Sequence, residues 1–455
     1  MLVVSAFALT SCGEANGVPS DPMDREAEDA LVAYLKIDTT NPPGNETAGA
    51  IFLRDLLVKE GIAAQLVGGD PKRQGVYARL SSGTSEKALL LLSHIDVVPA
   101  DPAAWRNPPF GGVREGGYIW GRGTLDIKSL TIAHAMSLVD LKRRRAKLTR
   151  DVIFLAVPDE ELGGMNGAKA LLDQRADLFA NVGFVMNEGG ANETALDHVV
   201  FWGIEVQQKV PLWLRVTSEG EGGHAASPPD DGGATAKLVR ALGKVQAMET
   251  PYRLDPSVAR INAAAAAART DGRGASLRRL REPLDEAMVR ELPRGQRALL
   301  QDTIAVTNIA AGTSVNVIPS KATAGIDIRL LPSTPPATML ARVQEVVGKD
   351  GRVEVVLSSQ PVAESPAGGP LWNVVTRAMR ASSPGSTAGP IVTAGTTDSR
   401  FFRARGIPAY GVMPFKVNYY DADGVHGNDE RIRARFFAEG VRLMRTIVRD
   451  FVAAP

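Results

Sequence analysis

The sequence predicts a two-part α/β protein, a largely parallel sheet interrupted by an inserted α+β segment. Three observations lead there. Short apolar runs suited to buried strands alternate with helical segments over the first two hundred residues, the pattern of a parallel sheet with crossover helices. Near Gln207 that pattern gives way to half-exposed strand patterns and amphipathic helices. From about Gly369 the α/β character resumes. A chain of 455 residues also exceeds one ordinary core, and 44% hydrophobic content can fill two.

The elements follow in order. Residues 24–37 read as a helix with Leu31, Tyr34 and Leu35 on one face, broken by Asn41-Pro42-Pro43-Gly44. A second helix runs from about Glu46 to Glu60 and ends at Gly61. Ala88 to Ser93, Asp151 to Val157 and Val182 to Met186 are buried-strand candidates. Ile127 to Leu141 and Gly167 to Leu172 are helical. In the insertion, Pro211 to Thr217 alternates as a strand and Gly233 to Met248 reads as a helix. The Ala- and Arg-rich stretch 263–303 is expected to be helical and surface-exposed. Thr303 to Ile309, Ala322 to Leu331 and Val353 to Leu357 are strand candidates, with a helix at Pro336 to Val347. The resulting division is 1–23, 24–206, 207–365 and 366–455.

Bulk properties exclude several classes. Lys plus Arg number 52 and Asp plus Glu 51, so no nucleic-acid surface is expected. The single cysteine, Cys12, permits neither an intrachain disulfide nor a thiolate cluster, so any metal must sit on His, Asp and Glu. Met1 to Ala8 is apolar and Leu9-Thr10-Ser11-Cys12 follows, which resembles a bacterial lipoprotein signal. The expectation is a lipid anchor at Cys12 and a periplasmic or cell-envelope location, or a cytoplasmic one if the signal is not real.

The chemistry-bearing residues follow strands. Ser93-His94-Ile95-Asp96 closes one strand, and residues two apart in extended backbone share a side, so His94 and Asp96 can face one site. Ligands outside the carboxyl ends of parallel strands are usual in open α/β sheets. In Gly121-Arg122-Gly123-Thr124-Leu125-Asp126-Ile127-Lys128, Asp126 is either a helix N-cap or a carboxylate bridging two metals, and the segment leaves both open. Pro158-Asp159-Glu160-Glu161-Leu162-Gly163-Gly164 and Met186-Asn187-Glu188-Gly189-Gly190 each put acid after an apolar strand, where it is costly unless paired or on a metal. Gly424-Val425-His426-Gly427 supplies a second loop histidine. His134 lies inside a helix and reads as structural or exposed, and His198 as a surface-loop residue. The chain has five histidines in all.

The order His, Asp, Glu-Glu, Glu, His with these flanks resembles the zinc metallopeptidase family of aminoacylase-1, carboxypeptidase S, glutamate carboxypeptidase and succinyl-diaminopimelate desuccinylase. It is most similar to the carboxypeptidase S and N-acyl-amino-acid hydrolase branch. The resemblance implies a zinc-exopeptidase-like catalytic domain with a mostly parallel sheet and helices on both faces, plus an inserted lid domain able to form a homodimer. It implies two zinc ions, with cobalt or manganese as substitutes. One zinc takes His94, Glu188 and bridging Asp126; the other takes Glu161, His426 and Asp126. Asp96 orients His94, and Glu160 is the general base.

Glu221-Gly222-Gly223-His224 resembles the lid segment whose histidine supports the oxyanion. Asn316, Arg329, Gly395, Thr396 and Arg400 match family positions near a substrate carboxylate, Arg400 being alternatively a structural ion pair. The implied substrate is a short peptide or N-acyl amino acid with a free carboxylate. A dipeptidase or aminopeptidase of the same fold, and a binding lipoprotein without catalysis, are the rival readings.

Overall fold

A computed structural model describes residues 21–454; the lipoprotein-like segment, Cys12 included, lies outside them. The principal sheet has nine strands. Its centre is parallel: Ala88–His94 lies between Val152–Val157 and Val182–Asn187, and Ala409–Gly411 pairs parallel with Val182–Asn187. Antiparallel strands flank this centre, Gly75–Leu80 on one side and His198–Gln208 on the other. Thr387–Thr393 closes the far edge, parallel to His198–Gln208.

The apolar runs become central strands because both their faces are covered. Alternate residues divide between two cores. Leu89, Leu91, Phe154 and Ala156 join the core beneath helices Pro22–Leu35, Glu46–Lys59, Lys128–Arg143 and Ala434–Val452. Leu90, Leu92, Ile153 and Leu155 join a smaller core with Leu171 of Ala168–Gln174 and Phe402 of Ser399–Arg403.

The second sheet is antiparallel, in the order Thr303–Ala310, Lys321–Leu330, Val210–Glu219, Arg352–Ser358. Helices Gly233–Gln246 and Pro336–Val347 cover one face with a core of their own. Lys209 is the sole residue between His198–Gln208 of the first sheet and Val210–Glu219 of the second. It is fully buried, and its Nζ donates to the carbonyls of Ala298 and Gln301 at 2.9 Å each and to Thr303 Oγ1 at 3.1 Å.

The stretch 263–303 is helical and mostly exposed, as expected, through Gly272–Arg279, Glu286–Glu291 and Arg294–Arg297; its first residues are the exception. Helix Pro256–Ala267 packs on the edge strand Thr387–Thr393, and Val258 and Ile261 enter the large core of the first sheet. Ala265, Ala266 and Arg269 are buried as well. An alanine run has no polar face to betray which side is covered, which is why it reads as solvated. Sequence position inside the insertion therefore does not mean packing with the second sheet.

His134 is fully buried in the helix Lys128–Arg143, and neither ring nitrogen has a hydrogen-bond partner. Burial pushes its pKa down from 6.5 to about 3. The unfolded chain therefore takes up a proton below pH 6.5 that the folded chain refuses, and stability falls as pH drops through that window. Replacing His134 by Leu removes two buried unpaired nitrogens, a gain of about 1–3 kcal/mol. Thermal melts should show a higher Tm and a flatter loss of stability between pH 6.5 and 4. A lower Tm with an unchanged acid limb contradicts this.

Candidate metal centre

The parallel centre of the sheet delivers its loops to one end. His94 is the last residue of its strand, and the strands on either side lead into 158–163 and 188–190. The buried His94 ring is held by Nδ1, 2.8 Å from the Asp96 carbonyl oxygen. A donor bond there fixes the tautomer and leaves Nε2 as the lone-pair nitrogen. The Asp96 carboxylate stands 3.6 Å from Nδ1, beyond good hydrogen-bonding range. It accepts instead from the backbone N–H of Glu160 and Glu161, at 3.2 and 3.1 Å, and from Asn41 Nδ2 at 2.9 Å. Asp96 thus joins the two acidic loops: its backbone sets the imidazole and its side chain sets the glutamates.

Asp126 is at the middle of the cluster. Its Oδ1 lies 3.1 Å from His94 Nε2 and its Oδ2 lies 3.1 Å from His426 Nε2. The helix after it starts at Lys128 with Ile127 as the capping position and no side-chain cap bond, so the N-cap alternative does not hold. Glu161 Oε2 is 3.1 Å from His426 Nε2, and Glu188 Oε2 is 3.7 Å from His94 Nε2. Donor atoms of His94, Glu160 and Glu188, and of His94, Asp126 and Glu161, each fall within 4.8 Å of one another.

The electrostatics call for cations. Four carboxylates converge, and among the described residues none of them forms an ion pair with Lys or Arg. Burial, then the charge of Glu188, pushes the Glu160 carboxyl well above its usual range. Burial and Asp126 push Glu161 to about 7. Against burial, Glu188 and Asp126 raise His94 well above an ordinary imidazole, and Asp126 and Glu161 raise His426 to about 10. Glu161 Oε1 and Glu188 Oε1 are buried without any partner. Unpaired buried carboxylate oxygens are expensive unless a cation meets them. The mixed nitrogen and oxygen donors fit a divalent transition metal.

Two residues that read in the sequence only as motif flanks assemble this site. The buried Glu430 carboxylate accepts from the N–H groups of Gly123, Leu125 and Asp126 at 2.9, 2.6 and 3.1 Å, and from Arg122 Nη1 at 2.7 Å. Arg122 Nη2 donates to the Gly427 carbonyl at 2.7 Å. One ion pair thereby ties the Asp126 loop to the His426 loop. An arginine between glycines and an acid after a polar run were the available signals. His426 sits at φ 57°, uncommon backbone for a non-glycine residue. Asp398 carries no sequence signal of its own. It is buried with both oxygens unpartnered, and burial pushes it up to about 7.

The remaining candidates lie apart from the cluster or face elsewhere. His224 is exposed in the second sheet's loop region, paired in register with Val317, and its Nδ1 accepts from Ala226 N at 3.0 Å. Asn316 is exposed beside it, its carbonyl accepting from Ala225 N at 3.1 Å. Arg329 is forked onto Asp327 at 2.7 and 2.8 Å and reaches Thr396 Oγ1 at 2.6 Å, joining the two sheets. Gly395 donates to Thr393 Oγ1 at 3.2 Å. Arg400 is buried, with its guanidinium on the carbonyls of Thr397 and Gly163 at 2.7 and 2.6 Å, and it has no ion pair within 4.0 Å among the described residues.

A model of peptidase family M20/M25/M40 matches residues 90–450. The chain belongs to that family. As a member it is a hydrolase of amide or peptide bonds. It is 31% identical over 365 residues to an N-fatty-acyl-amino acid synthase/hydrolase of Xenopus tropicalis, covering 75% of this chain and 68% of the relative. It is 26% identical over 465 residues to human aminoacylase-1, covering 98% of each chain. Among solved structures, an M20 family metallo-carboxypeptidase from Sulfolobus solfataricus aligns with TM-score 0.71 at 19% identity, over 93% of this chain and 98% of that one. The di-peptidase Dug1p from Saccharomyces cerevisiae aligns with TM-score 0.73 at 15% identity, over 94% and 96%. These likenesses establish the fold.

Glu430→Gln leaves the side chain's size but weakens its hold on the Asp126 loop. Loss of a residue that orients a ligand typically costs roughly 10- to 100-fold in metal affinity. Competition with a chromophoric chelator should show that loss. Unchanged affinity contradicts the positioning role.

Proposed function

We propose that this M20 hydrolase is a two-zinc amidohydrolase of carboxypeptidase or aminoacylase type, cleaving short peptides or N-acyl amino acids that carry a free carboxylate. The observation that carries this reading is Asp126, whose two oxygens face different imidazoles at equal distance. Glu188 then completes the His94 side and Glu161 the His426 side, each with an oxygen still to be met. Zinc is the metal this donor set suits, with cobalt or manganese as substitutes. Nothing comparable supports a substrate ammonium site, so the dipeptidase reading stands second.

Two bound divalent cations would acidify a shared water and polarise the scissile carbonyl. The chain's own residues supply the proton traffic. Glu160, buried beside Glu188 and held through its N–H by Asp96, takes the proton of the attacking water and returns it to the departing nitrogen. His224 of the lid, brought in by lid closure or from a second subunit, donates to the developing oxyanion. Thr396 and Arg329, joined at 2.6 Å across the two sheets, border the substrate carboxylate. The lid's edge strand Thr303–Ala310, with its exposed Ile309, and the exposed Val317 suit a homodimer through the lid.

Two substitutions test the assignment. Glu160→Gln should retain metal by elemental analysis yet lose roughly 10²–10⁴-fold in kcat; near-full turnover would remove Glu160 as the base. His224→Ala should lower kcat by roughly 10²–10³-fold with little change in KM. An unaltered kcat would leave His224 a structural loop residue.

A further inference from the structure

The metal centre occupies one end of the first sheet, and the opposite end is basic. Residues 142–150, Lys-Arg-Arg-Arg-Ala-Lys-Leu-Thr-Arg, hold six cations and no acid. They finish the helix Lys128–Arg143 and turn into the strand Val152–Val157. Lys87, just before the neighbouring strand Ala88–His94, joins them, since Arg150 Nη1 donates to its carbonyl at 3.0 Å. That strand separates Lys87 from His94, and the helix separates Arg143 from Asp126, each by about 20–25 Å.

Pairing divides these cations into two sets. Arg143 bonds Glu26 and Glu60 at 2.8 Å each, and Arg144 bonds Asp140 at 2.8 Å. Arg150 lies 4.4 Å over the Phe451 ring and 3.9 Å from Glu86. Those three fasten the fold. Lys87, Lys142, Arg145 and Lys147 are exposed, and among the described residues none of them has a carboxylate within 4.0 Å. The negative end of the helix dipole accounts for a cation in its last turn, but not for Lys147 beyond it or for Lys87 beside another strand. Arg145 ends the helix at φ 51°, in the left-handed conformation that helix ends usually give to glycine. A charge is kept there against the backbone's preference.

The described chain starts at this same end. Asp21 bonds Arg445 at 2.9 Å, and Arg445 bonds Asp140 at 2.7 Å, one helical turn before Arg144. Cys12 stands nine residues before Asp21, a separation of at most about 32 Å of extended chain. A lipid on Cys12 would keep the basic end within reach of a bilayer.

We propose that the face bearing Lys87, Lys142, Arg145 and Lys147 docks on an anionic phospholipid bilayer and leaves the metal centre pointing away from it, open to soluble substrates. Unpaired cations are drawn to such a surface over a range of about 10 Å at roughly 0.1 M salt. An acyl anchor and a basic patch reinforce one another, because a single chain alone binds weakly and reversibly. The docking face is independent of which amide the metal centre cleaves.

The test uses the full-length protein with Cys12→Ser, so that no acyl chain contributes. Sedimentation with phosphatidylcholine vesicles, with and without phosphatidylglycerol, reads the binding. It should require phosphatidylglycerol and weaken steeply as salt rises. A cation beside an anionic surface gives roughly fivefold in partitioning, so Lys142→Gln/Arg145→Gln/Lys147→Gln should bind about 100-fold more weakly. Lys321→Gln/Arg342→Gln/Lys349→Gln, the same charge change on exposed lid residues, should bind as the parent does. Arg145→Gly should raise Tm while weakening vesicle binding about fivefold, a combination that a purely structural arginine does not give. Equal binding to both kinds of vesicle, or equal losses in the two triple variants, overturns the docking face. Binding to heparin without binding to phosphatidylglycerol vesicles overturns it too, and makes the partner a soluble polyanion.

Discussion

Everything at the catalytic end of this molecule answers to one electrostatic constraint: four carboxylates converge on the buried imidazole of His94 and the half-exposed imidazole of His426, and among the described residues none of the four pairs with a lysine or arginine. Such an arrangement is unfavourable by itself. Its effects are visible in both directions, with Glu160 and Glu161 pushed up and His426 pushed to about 10. Two divalent cations would relieve it, one on either side of Asp126. The surrounding structure is organised to hold the repelling groups in place meanwhile. Asp96 pins the Glu160–Glu161 backbone, and Glu430 pins the Asp126 backbone while its partner Arg122 reaches the His426 loop.

The fold makes the convergence achievable. Three adjacent parallel strands point the same way, so His94, the Glu160–Glu161 turn and Glu188 arise side by side without long excursions. The lid is joined to this frame by Lys209 in the chain, by Arg329 and Thr396 across the sheets, and by Leu357 against Gly163. Arg329, which in isolation suits a carboxylate, is in a bidentate fork with Asp327, two residues away on its own strand.

The parts legible in the sequence were those with a periodic or ordered signature. The strands Ala88–His94 and Val152–Val157 are continuous apolar runs, and a run buried on both faces announces itself. The ligand residues were legible as an ordered set with shared flanks, since each alone had an ordinary explanation. The illegible parts depend on contacts between distant segments. Asp96 Oδ2 bonding to Glu161 N, and Glu430 bonding to the N–H groups of Gly123, Leu125 and Asp126, leave no local pattern. Arg400 read as a binding or ion-pair residue, yet its partners are backbone carbonyls, which no sequence pattern advertises. Only the start of the stretch 263–303 misled, and for a different reason: alanine is equally at home in core and solvent, so the burial of Ala265 and Ala266 carried no signature.

The most direct measurement is anomalous diffraction from a crystal of the zinc-loaded protein, collected on both sides of the zinc edge. Two peaks separated by roughly 3.5–4 Å, one between His94 and Glu188 and one between His426 and Glu161, with Asp126 touching both, is the predicted result. A single peak, or two peaks of which Asp126 contacts only one, would contradict the bridging centre.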